Sequence, residues 1–137
     1  MSKNCQQACA VPYRKEHNIV TFCLITSRSH NDWIFPKGNI DGAETPQETA
    51  LKEAEEEAGL EGTIVTSLGT FSYEKRGLSL LVAAELMEVT VCKDRWLEKK
   101  YRKRCWVSFS EAENLIQRAE MKSILKKAIE HVNAINR

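Results

Sequence analysis

The chain reads as an α/β protein, with one mixed β-sheet and helices on its faces, an α/β/α sandwich. Three observations predict this class. Apolar runs rich in β-branched and aromatic residues recur along the sequence between polar turns. Other segments carry apolar residues at helical spacing instead. Strands and helices also intermix without strict alternation, which predicts a mixed sheet. A length of 137 residues fits one domain, residues 1–137, with a sizeable core.

The elements follow in order. Residues 8–13 and 19–26 are expected strands, and the polar stretch 14–18 between them suits a hairpin turn. Residues 27–32 read as a loop. Trp33, Ile34 and Phe35 form a short apolar run stopped by Pro36, which predicts a brief strand. Thr45 suits a helix N-cap, Pro46 the first helical position, and Glu48 completes a capping box. Ala50, Leu51, Ala54 and Ala58 then make an apolar stripe, and Gly59 is a natural C-terminal stop. A stripe made mostly of alanine lets that helix lie close to a sheet. Longer strands are expected over residues 64–73 and 78–91, around a turn at Lys75, Arg76 and Gly77. A shorter strand follows at 104–109, and Ser110 is the expected cap of a helix over 111–117. Ile124, Leu125, Ala128, Ile129 and Val132 place a last amphipathic helix over 122–133.

Composition excludes several classes. The net charge of +1 creates no global field toward nucleic acid or membrane, so any polyanion must meet a local patch. No apolar run approaches the ~20 residues that span a bilayer, and the first residues lack the apolar core of a signal peptide. Cys5, Cys9, Cys23, Cys92 and Cys105 are odd in number and contain no C-x-x-C pair. Cys5 and Cys9 alone make a weak zinc candidate, and free thiols in a reducing cytoplasm are the expectation.

The most informative segment is 38–60, GNIDGAETPQETALKEAEEEAGL. Glu53, Glu56 and Glu57 stand at i, i+3 and i+4, so a helix presents them on one face. Like charges so placed destabilise an isolated helix, and a hard divalent cation with oxygen ligands removes that cost. The competing reading is a solvated acidic helix.

The spacing of Gly38, Glu44, Glu53, Glu56, Glu57, Gly59 and Leu60 resembles the signature of the Nudix hydrolases, G-x5-E-x7-R-E-U-x-E-E-x-G-U with U bulky and apolar. Lys52 stands where that signature has Arg, and Ala54 is a small occupant of the first U position. The resemblance implies the Nudix fold, an α/β/α sandwich around a mixed sheet. It also implies cleavage of a phosphoanhydride by water with Mg²⁺, or Mn²⁺ in its place. Glu53, Glu56, Glu57 and the Gly38 carbonyl would hold the metal, and Glu53 or Glu57 would act as base toward water. Glu44 would organise the loop and helix. Lys52 would orient a glutamate with a point charge in place of a fork, or pair with Glu48 four residues before it.

Flanking residues bear on the substrate. The run from Trp33 to Gly38, W-x-x-P-K-G, resembles Nudix enzymes acting on diadenosine polyphosphates and diphosphoinositol polyphosphates. Ser27-Arg28 and the segment from Arg102 to Trp106 resemble the latter group. Arg28, Lys37, Gly38, Arg76, Arg102 and Arg104 are therefore the expected phosphate-binding set, with Lys103 beside them. The run Lys99-Lys100-Tyr101-Arg102-Lys103-Arg104 also suits a solvated, edge-protecting charge run or a nucleic-acid patch. Trp33 either stacks on a base or packs as core, the second being favoured. His30 lies in the lead-in loop, where it reaches phosphate or is an ordinary loop residue. The expected partner is a polyphosphorylated small molecule, with neither membrane nor nucleic acid. The rivals are a hydrolase of nucleotide sugars or RNA 5′ ends, and a binding module that has kept the fold and lost turnover.

Overall fold

The computed structural model describes residues 5–28 and 32–135. Seven strands form one sheet in the order β3-β2-β1-β6-β5, with β4 pairing along β1 and β7 along β2. They are β1 (Gln7–Glu16), β2 (Ile19–Thr26), β3 (Trp33–Ile34), β4 (Lys37–Asn39), β5 (Leu60–Lys75), β6 (Leu78–Cys92) and β7 (Arg104–Val107). β1 runs parallel to β6, and the other pairings are antiparallel, so the sheet is mixed as the sequence predicts. Three helices, α1 (Pro46–Ala58), α2 (Phe109–Leu115) and α3 (Ala119–Ile135), complete the described fold. Residues 7–13 of β1 and 82–87 of β6 are buried without a break. A strand shows that pattern only when both of its faces are covered.

Both hairpins are tighter than their sequences suggest. Glu16 pairs with Ile19 and Lys75 with Leu78, leaving loops of His17-Asn18 and Arg76-Gly77. These residues have φ of 51, 66, 52 and 78°, the double left-handed pattern of a type I′ turn. The polar stretch at 14–16 therefore belongs to β1, because backbone pairing continues regardless of side-chain polarity at a solvent-exposed sheet end. β4 carries no apolar run and was not expected. It forms because its backbone completes the edge of β1, through Ala8 with Gly38 and Cys9 with Lys37.

α1 starts as the sequence predicts: the Thr45 hydroxyl accepts from Glu48 N at 3.1 Å, and Glu48 accepts from Thr45 N at 2.8 Å. Ala50, Ala54 and Ala58 are fully buried, and the helix packs on β1 and β5. Gly59 closes it in the left-handed region, and β5 begins at once, before residue 64. The second helix is capped by Ser108, not Ser110. Ser108 and Glu111 close the capping box; Ser110 with Glu113 offers the same spacing but lies inside α2. α3 begins at Ala119, ahead of the expected 122.

Candidate active site

A cavity of about 400 Å³ opens where β4 and the second half of α1 meet the end of β5. Glu53 and Glu57 of α1, Lys37 and Gly38 of β4, and Tyr73 and Lys75 of β5 line it. Gln7, Arg28, Asp32 and Arg102 complete much of the wall.

The two glutamates are held from different directions. Glu57 is only 6% exposed. One of its oxygens accepts from the Lys37 backbone N–H at 3.1 Å, and the other pairs with Arg102 Nη2 at 3.1 Å. Burial pushes its pKa up to about 8, and the neighbouring Glu53 charge adds to this while Arg102 opposes it. Burial prevails, and Arg102 also pairs with Glu98. Glu53 lines the same cavity, and its own pKa is raised by burial first and by Glu56 second, while Glu57 opposes the rise. Gly38 makes room for it: a Cβ there would lie 2.3 Å from Glu53 Cδ. Glu56 borders an adjoining cleft with Lys93 and Trp96, not the cavity itself.

The raised Glu57 pKa has a stability consequence. The folded, metal-free protein binds this proton more tightly than the unfolded chain does. The resulting stability is complete below the ordinary carboxylate range near 4.5 and is lost as pH rises through about 8. Urea melts in EDTA are expected to give lower stability at pH 8.5 than at pH 6, with Glu57→Gln flattening that slope.

Lys52 does not pair with Glu48, whose carboxylate is engaged in the capping box. Its ammonium lies 2.9 and 3.1 Å from the Glu44 oxygens, 3.5 Å from Asp41 and 4.0 Å from Glu53. Glu44 also accepts from Asp41 N and Thr49 Oγ1, so it ties the 41–44 turn to α1. These donors hold the Glu44 pKa below its usual range, and Glu44 in turn raises that of Lys52.

The expected cations divide. Lys37 and Arg28 reach the cavity. Lys37 Nζ lies 3.9 Å from the centre of the Tyr73 ring, and burial, then Lys75, lowers its pKa to about 8. Arg28 stacks at 4.3 Å on Tyr101. Arg104 is not in the wall. Its Nη1 donates to the Ala58 and Lys93 carbonyls at 2.7 and 2.8 Å, and its guanidinium lies 4.2 Å over Trp96, so it finishes α1 instead. Arg76 sits at the tip of the β5–β6 hairpin, outside the wall, and Lys103 is exposed elsewhere. Arg102 lines the cavity but is only 8% exposed and already paired with two carboxylates. The basic run is thus not one convergent patch. Trp33 packs against the core as favoured. His30 lies outside the described residues.

Lys75 and Tyr73 were missed, although a signal existed. Side chains alternate along a strand, so residues two apart share a face, and Tyr73 and Lys75 do so while Arg76 has entered the turn. Arg118 lies 4.1 Å over the same Tyr73 ring, a contact between distant segments that no local pattern announces.

The wall suits a hard cation in its chemistry. Two carboxylates line one cavity, burial raises the pKa of both, a bound cation would favour their charged forms, and all the donors are oxygen. Among the described residues, however, no three His, Cys, Asp or Glu side chains converge as one ligand set. The five cysteines are unpaired, and burial pushes the Cys9 thiol up to about 12, which makes it a core residue and a poor zinc ligand. No described helix is long and apolar enough to cross a membrane.

Known proteins share this fold. The NUDIX domain family pattern matches residues 3–132. Nudix hydrolase 4 and the chloroplastic Nudix hydrolase 21 of Arabidopsis thaliana are 30% and 32% identical to this chain, over 87% of it. The chain spans 62% and 63% of the length of those two relatives. The asymmetrical bis(5′-nucleosyl)-tetraphosphatase of Sus scrofa is 27% identical, over 82% of this chain and 80% of its own. The crystal structure of a C. elegans Ap4A hydrolase binary complex superposes with a TM-score of 0.83 at 27% identity, covering 96% of this chain and 99% of that one. A family pattern that runs nearly end to end, on a sheet and helix order shared with such structures, means that the chain belongs to the Nudix family.

Proposed function

We propose that this protein is a single-domain, Mg²⁺-dependent hydrolase that cleaves a phosphoanhydride bond in a dinucleoside polyphosphate, with diadenosine polyphosphates as the leading substrates. The observation that carries the reading is one polar cavity holding the Glu53–Glu57 pair beside Lys37, Lys75 and Arg28. The names of the pig and C. elegans relatives support the choice of substrate.

Glu53, Glu57 and the Gly38 carbonyl are assigned as metal donors at the cavity; Glu56, which borders the adjoining cleft, would join them only by turning toward it, and Mn²⁺ suits the same oxygen set. The bound ion supplies charge neutralisation at phosphate oxygens and a lowered water pKa. Lys37, Lys75 and Arg28 hold phosphate oxygens against the carboxylate wall. Both Glu57 oxygens already have donors, so a Glu53 oxygen is assigned as acceptor of the water proton. Lys52 steadies Glu53 through its charge and through the Glu44 turn.

A second reading, a diphosphoinositol polyphosphate substrate, is favoured by one observation. The Tyr73 ring is already covered by Lys37 and Arg118, so charge dominates the wall over base stacking. A cytoplasmic location goes with both readings, on the free thiols.

The test is a turnover screen with Mg²⁺ over diadenosine polyphosphates, diphosphoinositol polyphosphates, nucleotide sugars, capped RNA 5′ ends and nucleoside triphosphates. The highest kcat/KM is expected on a diadenosine polyphosphate, and no turnover on any of them would establish a binding module instead. Lys75→Ala is expected to raise KM about tenfold, the scale of one lost charge-assisted hydrogen bond, and by more than Arg76→Ala does.

A further inference from the structure

We propose that Arg102 is a positioning residue for the carboxylate pair, acting as a planar bracket that fixes Glu57 and, through it, Glu53. The inference rests on the hydrolase reading above. Sequence reasoning placed Arg102 on the substrate. Its contacts point elsewhere. Nη2 lies 3.1 Å from Glu57 and 2.9 Å from Glu98, Nε donates to Glu98 at 3.0 Å, and Nη1 donates to the Thr26 carbonyl at 3.1 Å. All three nitrogens are thereby engaged, in a side chain only 8% exposed.

The bracket joins three separate pieces of chain: α1 through Glu57, the segment before β7 through Glu98, and the end of β2 through Thr26. Its second point is itself anchored, because Glu98 N donates to the Glu56 carbonyl at 3.0 Å. Glu57 and Glu53 line the same cavity, so fixing Glu57 sets one side of the space that Glu53 occupies. Lys52, the cation at the signature position, cannot do this. Lys52 is committed to Glu44 and comes no closer than 4.0 Å to Glu53. An ammonium is also a point donor on a flexible stem and does not span acceptors in one plane as a guanidinium does.

Arg102→Lys separates orientation from charge, since it keeps the cation and removes the fork. With the protein folded, kcat is expected to fall about tenfold, the scale seen when a group that orients a ligand is lost, while KM changes by less than about twofold. Mn²⁺ affinity, measured by calorimetry without substrate, is expected to fall in parallel. Lys52→Arg extends a fork toward Glu53 and should raise kcat by a larger factor in the Arg102→Lys background than in the wild type. Glu98→Gln, which loosens the bracket and leaves Arg102 and Glu57 in place, should show a smaller loss in kcat alone. It keeps the test open if Arg102→Lys does not fold.

A raised KM with unchanged kcat would put Arg102 on the substrate and overturn the proposal. So would unchanged kcat and Mn²⁺ affinity. A loss that tracks only the melting temperature and is equally insensitive to Lys52→Arg in both backgrounds would leave Arg102 as scaffold and overturn it too. If the wild type turns over nothing, the hydrolase reading fails, and the Mn²⁺ titrations still decide the role of Arg102.

Discussion

Glu53→Gln is expected to lower kcat by about 100-fold or more, because it removes both a metal donor and the assigned proton acceptor. Stability should move the other way. Glu53 is mostly buried beside Glu57, and its pKa is raised by burial first and by repulsion from Glu56 second. A neutral amide relieves that repulsion, so the metal-free variant should melt at the same temperature as the wild type or above it. The stabilisation that Mg²⁺ gives the wild type by binding only the folded state should shrink or vanish. Melts with and without Mg²⁺, alongside turnover, check both halves. A variant that loses activity and stability together would mean that Glu53 is structural.

Gly38→Ala is expected to separate function from folding as cleanly. The added Cβ would fall 2.3 Å from Glu53 Cδ and 2.6 Å from Oε2. Those atoms end a flexible side chain, so the carboxylate swings away and the backbone stays. Displacement of a reacting group by about 1 Å costs on the order of 100-fold in rate, whereas the melting temperature should hardly change. Gly62 is the contrasting control. A Cβ there would meet the Glu88 carbonyl oxygen at 2.0 Å, and backbone in a paired strand cannot yield. Gly62→Ala should therefore destabilise the protein, with normal turnover in whatever fraction folds. Equal melting temperatures for the two variants would contradict this account.

Much of the fold was legible because its signals are local. The Thr45–Glu48 capping box, the alanine stripe and the Gly59 stop each lie within one helix, and α1 follows them. The second cap was misplaced because Ser108–Glu111 and Ser110–Glu113 have the same capping-box spacing, so the local sequence does not decide between them, and the helix starts after the first. β4 escaped notice because a strand of three residues is stabilised by the edge of β1 rather than by its own composition.

The candidate site divides in the same way. Helical spacing put Glu53, Glu56 and Glu57 on one side of α1, and Gly38 in register with them. The bearing of each side chain depended on neighbours far away in sequence. Glu57 turns inward because Lys37 N and Arg102 hold it, while Glu56 faces a cleft formed with Lys93 and Trp96. Arg104 was credited to the substrate for its charge, yet two bare carbonyls at the end of α1 and its neighbouring segment claim it.

By itself, then, the sequence determined the class of fold, the acidic helix and the type of reaction chemistry that helix suits. Each is encoded in spacings of a few residues, where helix and strand geometry dictates what shares a face. Only the tertiary structure decided which cations serve the cavity. Arg102 and Arg104 stand two positions apart in one basic run, but Arg102 precedes β7 and Arg104 is its first residue. One guanidinium is carried to Glu57 and the other to the end of α1, because a buried guanidinium goes where unpaired oxygens await it.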